Sequence, residues 1–145
     1  MIGMSLKAAK GGFFDRAKVQ RSMDAATRRA LSKFGSFVRQ RAKTSIKKRK
    51  GISAPGQPPS SHVGLLRKNI LFAYEARTKN VVIGPILLHG KVSQTALEAL
   101  EHGGESMIIE RGKARTINVE ARPFMQPAFE TELEKAPYLW ENSLR

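Results

Sequence analysis

"DRAKVQRSMDAATRRALSKFGSFVRQRAKTSIKKRKG" (residues 15–51) contains the longest run of helical periodicity in the chain. Its apolar residues recur at steps of three or four, which is the spacing of one face of an α-helix. Asp15 is a suitable N-cap, and Gly51 follows a group of cations that suits the negative end of a helix dipole. The stretch therefore predicts one amphipathic helix over roughly residues 15–48. The apolar positions are Val19, Met23, Ala26, Ala30, Phe34, Phe37, Val38, Ala42 and Ile46.

The positive charge of the chain is concentrated in its first third. Residues 1–50 hold fifteen Lys or Arg and two Asp, a net +13 of the chain's +14, whereas residues 51–145 hold eleven Lys or Arg and ten Glu. A solvated helix face usually mixes signs, so this excess predicts an anionic partner. The predicted basic surface consists of Arg28, Arg29, Lys33, Arg39, Arg41, Lys43, Lys47, Lys48, Arg49 and Lys50.

Three kinds of partner fit such a basic helix. It could follow a phosphate backbone, dock on an acidic protein surface, or lie on an anionic membrane. The sequence favours the first two without separating them, and our prediction includes no membrane. Base-specific readout is disfavoured, because no aromatic stacking set, zinc finger or helix-turn-helix pattern accompanies the charge.

The composition excludes several other functions. The chain has no cysteine, which removes disulfides, thiolate nucleophiles and Cys-ligated zinc. The run "VVIGPILL" (81–88) is far shorter than the roughly 20 apolar residues of a membrane span. Residues 1–14 lack the features of a secretion signal, so we expect synthesis in the cytoplasm.

The remaining sequence predicts an α+β body of one domain. Three prolines make residues 51–64 an extended loop, with Pro55, Gly56, Pro58 and Pro59 as its flexible contact residues. We expect strands in 65–76 and 80–85, a helix in 93–104, and a hairpin in 106–120.

A last helix should begin between Pro123 and Pro127, pack on the sheet, and end at Pro137. The predicted fold is a small antiparallel sheet of about four strands, covered by the long N-terminal, short middle and C-terminal helices. The predicted parts are a basic arm (1–50), the loop (51–64), the body (65–137) and a tail (138–145).

No constellation of residues predicts catalysis. His62, His89 and His102 lack the spacing of metal or catalytic pairs, and Gly90-Lys91 lacks the preceding glycines of a phosphate-binding loop. The glutamates mostly occupy positions that look exposed. We therefore predict no enzyme activity, no metal, no cofactor and no small-molecule substrate.

The stretch "EARPFMQPAFETELEKAP" (120–137) contains a proline-stiffened apolar hook. Pro123 favours an extended Arg122, and prolines fit the first turn of a helix, so the apolar pair between them is aimed in a fixed direction. This pair could fill the core of its own subunit, while Arg122 could contact a carboxylate or a neighbouring subunit. The hook comprises Arg122, Pro123, Phe124, Met125 and Pro127.

Three motifs in this order carry a family resemblance. They are "GLLRKNI" (64–70) after the Pro-Gly loop, a helix ending in "EALEHGG" (98–104), and "ARPFMQPAFE" (121–130). Over about residues 52–133 the chain resembles the tail-completion or head-to-tail joining proteins of long-tailed bacteriophages, a family often described as minor tail components. Asn69 stands where these proteins usually have Ser.

The resemblance implies a structural assembly protein without catalysis. It implies a ring, commonly sixfold, of identical subunits at the virion neck or tail end, assembled in the cytoplasm of the bacterial host. Its partners would be copies of itself and neighbouring neck, connector and tail-tube proteins, with nonspecific DNA contact possible. The alternative is a small sequence-nonspecific nucleic-acid-binding protein that uses the basic N-terminal helix.

Overall fold

The computed structural model describes residues 15–86, 94–110 and 112–141. The order of its elements confirms the predicted α+β class. These elements are α1 (Arg16–Ser45), α2 (Leu65–Lys68), β1 (Ile70–Glu75), β2 (Asn80–Pro85), α3 (Gln94–His102), β3 (Gly104–Glu110), β4 (Lys113–Val119), α4 (Met125–Leu133) and α5 (Ala136–Glu141).

Helix α1 is the element against which much of the fold packs. The side chain of Asp15 accepts from Lys18 N at 3.0 Å, which confirms the predicted N-cap. The predicted apolar stripe is buried mainly from Ala26 onward, where β1, β2, α4 and α5 cover it. The first part is more exposed, since Met23 keeps 53% of its surface.

The helix ends earlier than its charge pattern predicts. Ile46 is extended and fully buried, so the chain leaves the helix to place this side chain in the core. Lys47 then forms a parallel bridge with Ser60, and its carbonyl accepts from Ser61 N at 3.0 Å. The cations 47–50 therefore lie on an extended segment beyond the helix.

Strands β1 and β2 form a hairpin whose register runs from Ile70 opposite Pro85 to Glu75 opposite Asn80. One face of this hairpin packs on α1. The helix and the hairpin approach closely at Gly35, where an added Cβ would lie 2.7 Å from Val81 Cγ2. Glycine at this position lets the helix lie directly on the sheet.

The predicted sheet of about four strands is wrong in its pairing. The described strands form two separate two-stranded antiparallel sheets, β1–β2 and β3–β4. The first lies on α1 and the second on α3, so different helices cover the two hairpins. The hairpins themselves were correctly predicted, because turn and alternation signals are local.

Two helical boundaries also differ from the prediction. Residues 65–68, expected to begin a strand, form the short helix α2 after Gly64, which has a left-handed φ of 82°. Pro137 does not end the helical region, because it is the second residue of α5, where a missing N–H costs no helical hydrogen bond. Residues 138–141 of the expected tail therefore belong to a helix.

Helix α4 packs against α1 and only to a lesser extent against the sheet, contrary to expectation. Ala128 and Glu132 are its buried residues, whereas the apolar side chains Phe129 and Leu133 remain 42% and 49% exposed. Phe129 still touches the edge of Phe34, with ring centroids 5.6 Å apart. The central core consists of Phe34, Val38, Ala42, Ile46, Ile70, Phe124 and Ala128.

Candidate assembly junction and basic surface

The hook is held by a carboxylate from a distant helix. Glu101, near the end of α3, accepts from the backbone nitrogens of Phe124 at 3.0 Å, Met125 at 3.1 Å and Gln126 at 2.8 Å. The first N–H groups of a helix have no partner within the helix, and negative charge is favourable there. Glu101 therefore caps α4 and replaces the local cap that Phe124 cannot supply.

The residues around Glu101 complete the contact between α3 and the hook. Arg122 N donates to Leu100 O at 2.7 Å. Gly103 has a φ of 80°, and an added Cβ there would lie 3.3 Å from Ala121 N. A side chain at position 103 would therefore be strained both by its backbone conformation and by this close approach.

The Arg122 guanidinium turns towards its own chain. Its Nε donates to Ser53 O at 3.0 Å and its Nη1 to Glu120 O at 3.1 Å, while an Nη2–carboxylate contact with Glu120 measures 3.4 Å. The Arg122 side chain is only 13% exposed. The structure therefore gives this side chain intrachain partners, including the carboxylate expected from the sequence.

The Pro-rich loop is hydrogen-bonded to the residue that precedes the hook. Gly56, with a φ of 75°, donates its N–H to Ala121 O at 2.8 Å, and Pro59 is buried. Pro58 is half-buried, whereas Pro55 is exposed. The loop therefore contributes both anchored residues and a free outer surface.

We call the meeting point of three segments the junction: the loop at 53–56, the end of α3 at 100–103, and residues 121–126, which include most of the hook. The hook residues differ in how deeply they are buried. Phe124 is 2% exposed in the core, and Met125 is half-buried beside an apolar groove of about 340 Å³. Pro123 is half-buried and Pro127 exposed.

A second carboxylate joins α4 to α1. Arg41 Nε donates to Glu132 Oε1, and Lys135 Nζ lies 3.4 Å from the same oxygen. Glu132 is 6% exposed. Burial alone raises the pKa of this carboxyl, but the hydrogen bond and charge of Arg41, together with Lys135, outweigh it and hold the pKa below its usual value.

The cations along the rest of α1 mostly have partners within the chain. Arg28 lies over the Tyr74 ring at 6.0 Å, and Lys33 lies over its neighbour Phe37 at the same distance. Arg39 Nε donates to Ile70 O at 2.9 Å. Arg29 is exposed and also has an interaction. These cations of the predicted basic surface therefore already have interactions, of which those of Arg28 and Arg39 reach β1.

The cations at the C-terminal end of α1 are arranged differently. A groove of about 270 Å³, which we call the basic groove, is lined by Lys43, Lys48, Arg67 and Lys68. Arg67 and Lys68 come from α2 and were not part of the predicted basic surface. In the part of the chain that the structure describes, none of these four side chains has a hydrogen-bond or ion-pair partner.

A second groove of similar size is lined among others by Arg49, Lys50 and Arg122. Arg49 Nε donates to Ser60 Oγ at 2.9 Å and Arg122 binds Ser53, so two of these cations are already used by the fold. Lys47 and Lys50 are exposed.

The described histidines do not converge on a site. His62 lines the second groove, and His102 is the last residue of α3. His89 falls outside the described residues. Within 15–86, 94–110 and 112–141, no three acidic, histidine or cysteine side chains are grouped so as to hold a metal ion. Nor does any helix within these ranges have the length and apolarity that crossing a bilayer requires.

Sequence reasoning missed Glu101, Glu132 and the contribution of α2 to the basic groove. Nothing in the sequence distinguishes these two carboxylates from the other glutamates, most of which look exposed. Glu101 lies two residues before Gly103 in the "EALEHGG" motif. Its contact with the hook joins two of the three motifs that carry the resemblance.

Comparisons with protein-family models, curated proteins and solved structures find no match to this chain. Its function is therefore inferred from its own residues and contacts.

Proposed function

We propose that this protein is a structural subunit of a bacteriophage head-to-tail junction, used stoichiometrically and without catalysis. The observation that carries the proposal is the junction, where the loop, the end of α3 and the hook are held together by Glu101, Arg122 and Gly56. Two of these segments belong to motifs that resemble tail-completion proteins, and the third is the Pro-rich loop that precedes "GLLRKNI". The hydrogen bonds of Glu101 give a physical reason for the "EALEHGG" motif and the hook to occur together.

The distribution of apolar surface supports an assembly role. Fifteen large hydrophobic residues among those described are substantially exposed, whereas the ten buried hydrophobic residues include five alanines. A subunit that buries part of its apolar surface only against other chains has this balance. In the proposed ring, identical subunits form heterologous interfaces that close, and neighbouring neck and tail-tube proteins cover the two ends.

Deletion of the gene from the phage that encodes it tests the proposal. We expect DNA-filled heads and separate tails in electron micrographs, and full restoration by the wild-type gene supplied in trans. Normal virions from the deletion would end the proposal.

The role of the junction is tested by complementation with Arg122→Ala. Loss of the Ser53 contact should release the loop and reduce the yield of joined particles. Arg77→Ala, which removes the same charge from an exposed turn, is the matched control and should complement fully. The melting temperatures of both purified variants separate an assembly defect from unfolding. Equal complementation by both variants would show that the Arg122 contacts at the junction are not needed to join heads to tails.

A second candidate is a small sequence-nonspecific nucleic-acid-binding protein. The basic groove favours it, because four cations without internal partners are placed where they can neutralise phosphates. A steep fall of duplex-DNA affinity with salt is expected for this function. It is compatible with the assembly role, since DNA passes through a head-to-tail junction.

A further inference from the structure

We propose that the basic groove is a discrete binding site for the phosphates of a duplex-DNA backbone. The site is formed by Lys43, Lys48, Arg67 and Lys68, with Ser61 in its wall. It deepens the second candidate function, because it assigns DNA contact to one groove instead of to the whole basic helix.

The fold creates this site from three segments that are separate in sequence. Lys43 comes from the last turn of α1, Lys48 from the extended segment after it, and Arg67 with Lys68 from α2. The Ser61 N–H bond to Lys47 O holds the loop beside the extended segment. Charge density at this place therefore depends on tertiary structure as well as on the basic run 47–50.

The electrostatics of the groove favour an anion. Its lining contains no carboxylate among the residues that the structure describes. Burial, with added repulsion from Arg39 and Arg67, lowers the pKa of Lys43 below the usual value for lysine. Each nearby cation raises the electrostatic cost of the others, and a bound phosphate would relieve that repulsion.

The chemistry of the lining favours a phosphate backbone over a base-reading contact. Lysine and arginine bind phosphate by charge and by N–H donors, and the wall adds a serine hydroxyl. The lining has no aromatic residue on which a base could stack. Binding should therefore depend on salt and hardly on DNA sequence.

The second groove, lined by Arg49, Lys50 and Arg122, differs in how its cations are used. There Arg49 and Arg122 already donate to Ser60 and Ser53, so they position the loop. The four cations of the basic groove make no hydrogen bond or ion pair with the residues that the structure describes, so replacing the exposed ones should leave the fold intact. Lys48, Arg67 and Lys68 are all exposed.

The test compares two triple variants of the full chain with equal loss of charge. K48Q/R67Q/K68Q removes three cations of the groove, and K18Q/K113Q/R115Q removes three exposed cations elsewhere. Duplex-DNA affinity is measured by fluorescence anisotropy from low to moderate salt. Each lost phosphate contact should reduce the slope of log affinity against log salt by about 0.9, so the groove variant should lose roughly 2 to 3.

The control triple should keep the wild-type slope, with a small loss of affinity from the lower net charge. Equal slopes for the two triples would overturn the site while leaving nonspecific DNA binding intact. A wild-type affinity that does not change with salt would overturn the second candidate function itself. The outcome of the phage deletion does not depend on either result. The head-to-tail role and the DNA-binding site are therefore tested independently.

Two further measurements define the ligand and the fold. Competition with polyglutamate should displace the DNA only weakly; displacement at equal charge concentration would favour an acidic protein partner and overturn the proposal. Inorganic phosphate should compete only at far higher concentration, and equally effective competition would also overturn it. The groove triple should melt at or above the wild-type temperature, because like-charge repulsion has been removed.

Discussion

The Oε1 atom of Glu101 lies 2.8 Å from the backbone nitrogen of Gln126, 25 residues away in the chain. One side chain at the end of α3 thereby supplies the N-terminal cap of α4. Helix caps are usually provided by the residue just before the helix, but here Phe124 occupies that position and is needed in the core. The cap and the apolar anchor are thus supplied by different segments.

Removing this cap should destabilise the protein. We expect Glu101→Ala to lower the free energy of unfolding by about 1–3 kcal/mol, because the N–H groups at the start of α4 lose a charged acceptor. Urea denaturation followed by circular dichroism measures the change. Glu98→Ala, an exposed position on the same helix, is the control and should change it by less than about 0.5 kcal/mol. Equal effects would show that the cap contributes nothing specific.

The buried carboxylate of Glu132 should make stability depend on acid pH. Its pKa is lowered in the folded state, so its stabilisation is present above the ordinary glutamate value of roughly 4.3. This stabilisation is lost as the pH falls through the lower folded value. At pH 7 we expect Glu132→Gln to cost about 1–3 kcal/mol, because Arg41 loses a charged partner.

Urea midpoints of the wild type and Glu132→Gln should converge between about pH 4.3 and the folded pKa of Glu132. Glu134→Gln, which alters an exposed neighbour, should follow the wild type throughout. A Glu132→Gln difference that stays constant down to pH 2 would contradict the linkage.

Asp24 and Lys79 form a contrasting ion pair. Their 2.6 Å contact lowers the pKa of Asp24 and raises that of Lys79, but both side chains are about half exposed. Water and salt screen such pairs strongly. We therefore expect no measurable change in the urea midpoint of Asp24→Asn at 0.15 M salt, and a clear loss there would contradict this expectation.

Gly35 should resist a substitution that normally stabilises helices. Alanine gains about 1 kcal/mol over glycine in helix propensity, but its Cβ at this position would meet Val81 at 2.7 Å and Phe72 at 2.9 Å. Such overpacking costs about 1–3 kcal/mol. Thermal denaturation should show Gly35→Ala to be less stable than the wild type.

Ser22→Ala, on the exposed face of α1, is the matched helical substitution and should be neutral or slightly stabilising. A Gly35→Ala protein that gains stability to the same extent would mean that α1 and the β1–β2 sheet can separate without loss.

The sequence was sufficient for features whose causes are local. The N-cap at Asp15, the β1–β2 pair and the β3–β4 pair follow from periodicity and turn residues within a few positions. The sequence was insufficient to predict long-range strand pairing, since nothing in either hairpin specifies whether the two hairpins join into one sheet. Pro137 was misplaced because a proline after a helix also fits the first turn of another.

The candidate site was predictable only in part. The hook was identified from its prolines and Phe124, but its cap was not, because Glu101 is separated from it by a whole hairpin. The basic groove was missed because Arg67 and Lys68 looked like strand residues and not like part of a cationic cluster. Partners brought together by tertiary packing leave no periodic signal.

The contact between Arg41 and Glu132 spans 91 residues, and that between Arg122 and Ser53 spans 69. During translation the basic N-terminal helix is therefore made long before α4 and α5, which cover part of its apolar stripe. Part of the apolar surface of α1 must therefore remain exposed in the nascent chain until α4 emerges. Premature termination after residue 120 would consequently leave a cationic fragment with exposed apolar surface, which would be prone to aggregation or to binding by chaperones.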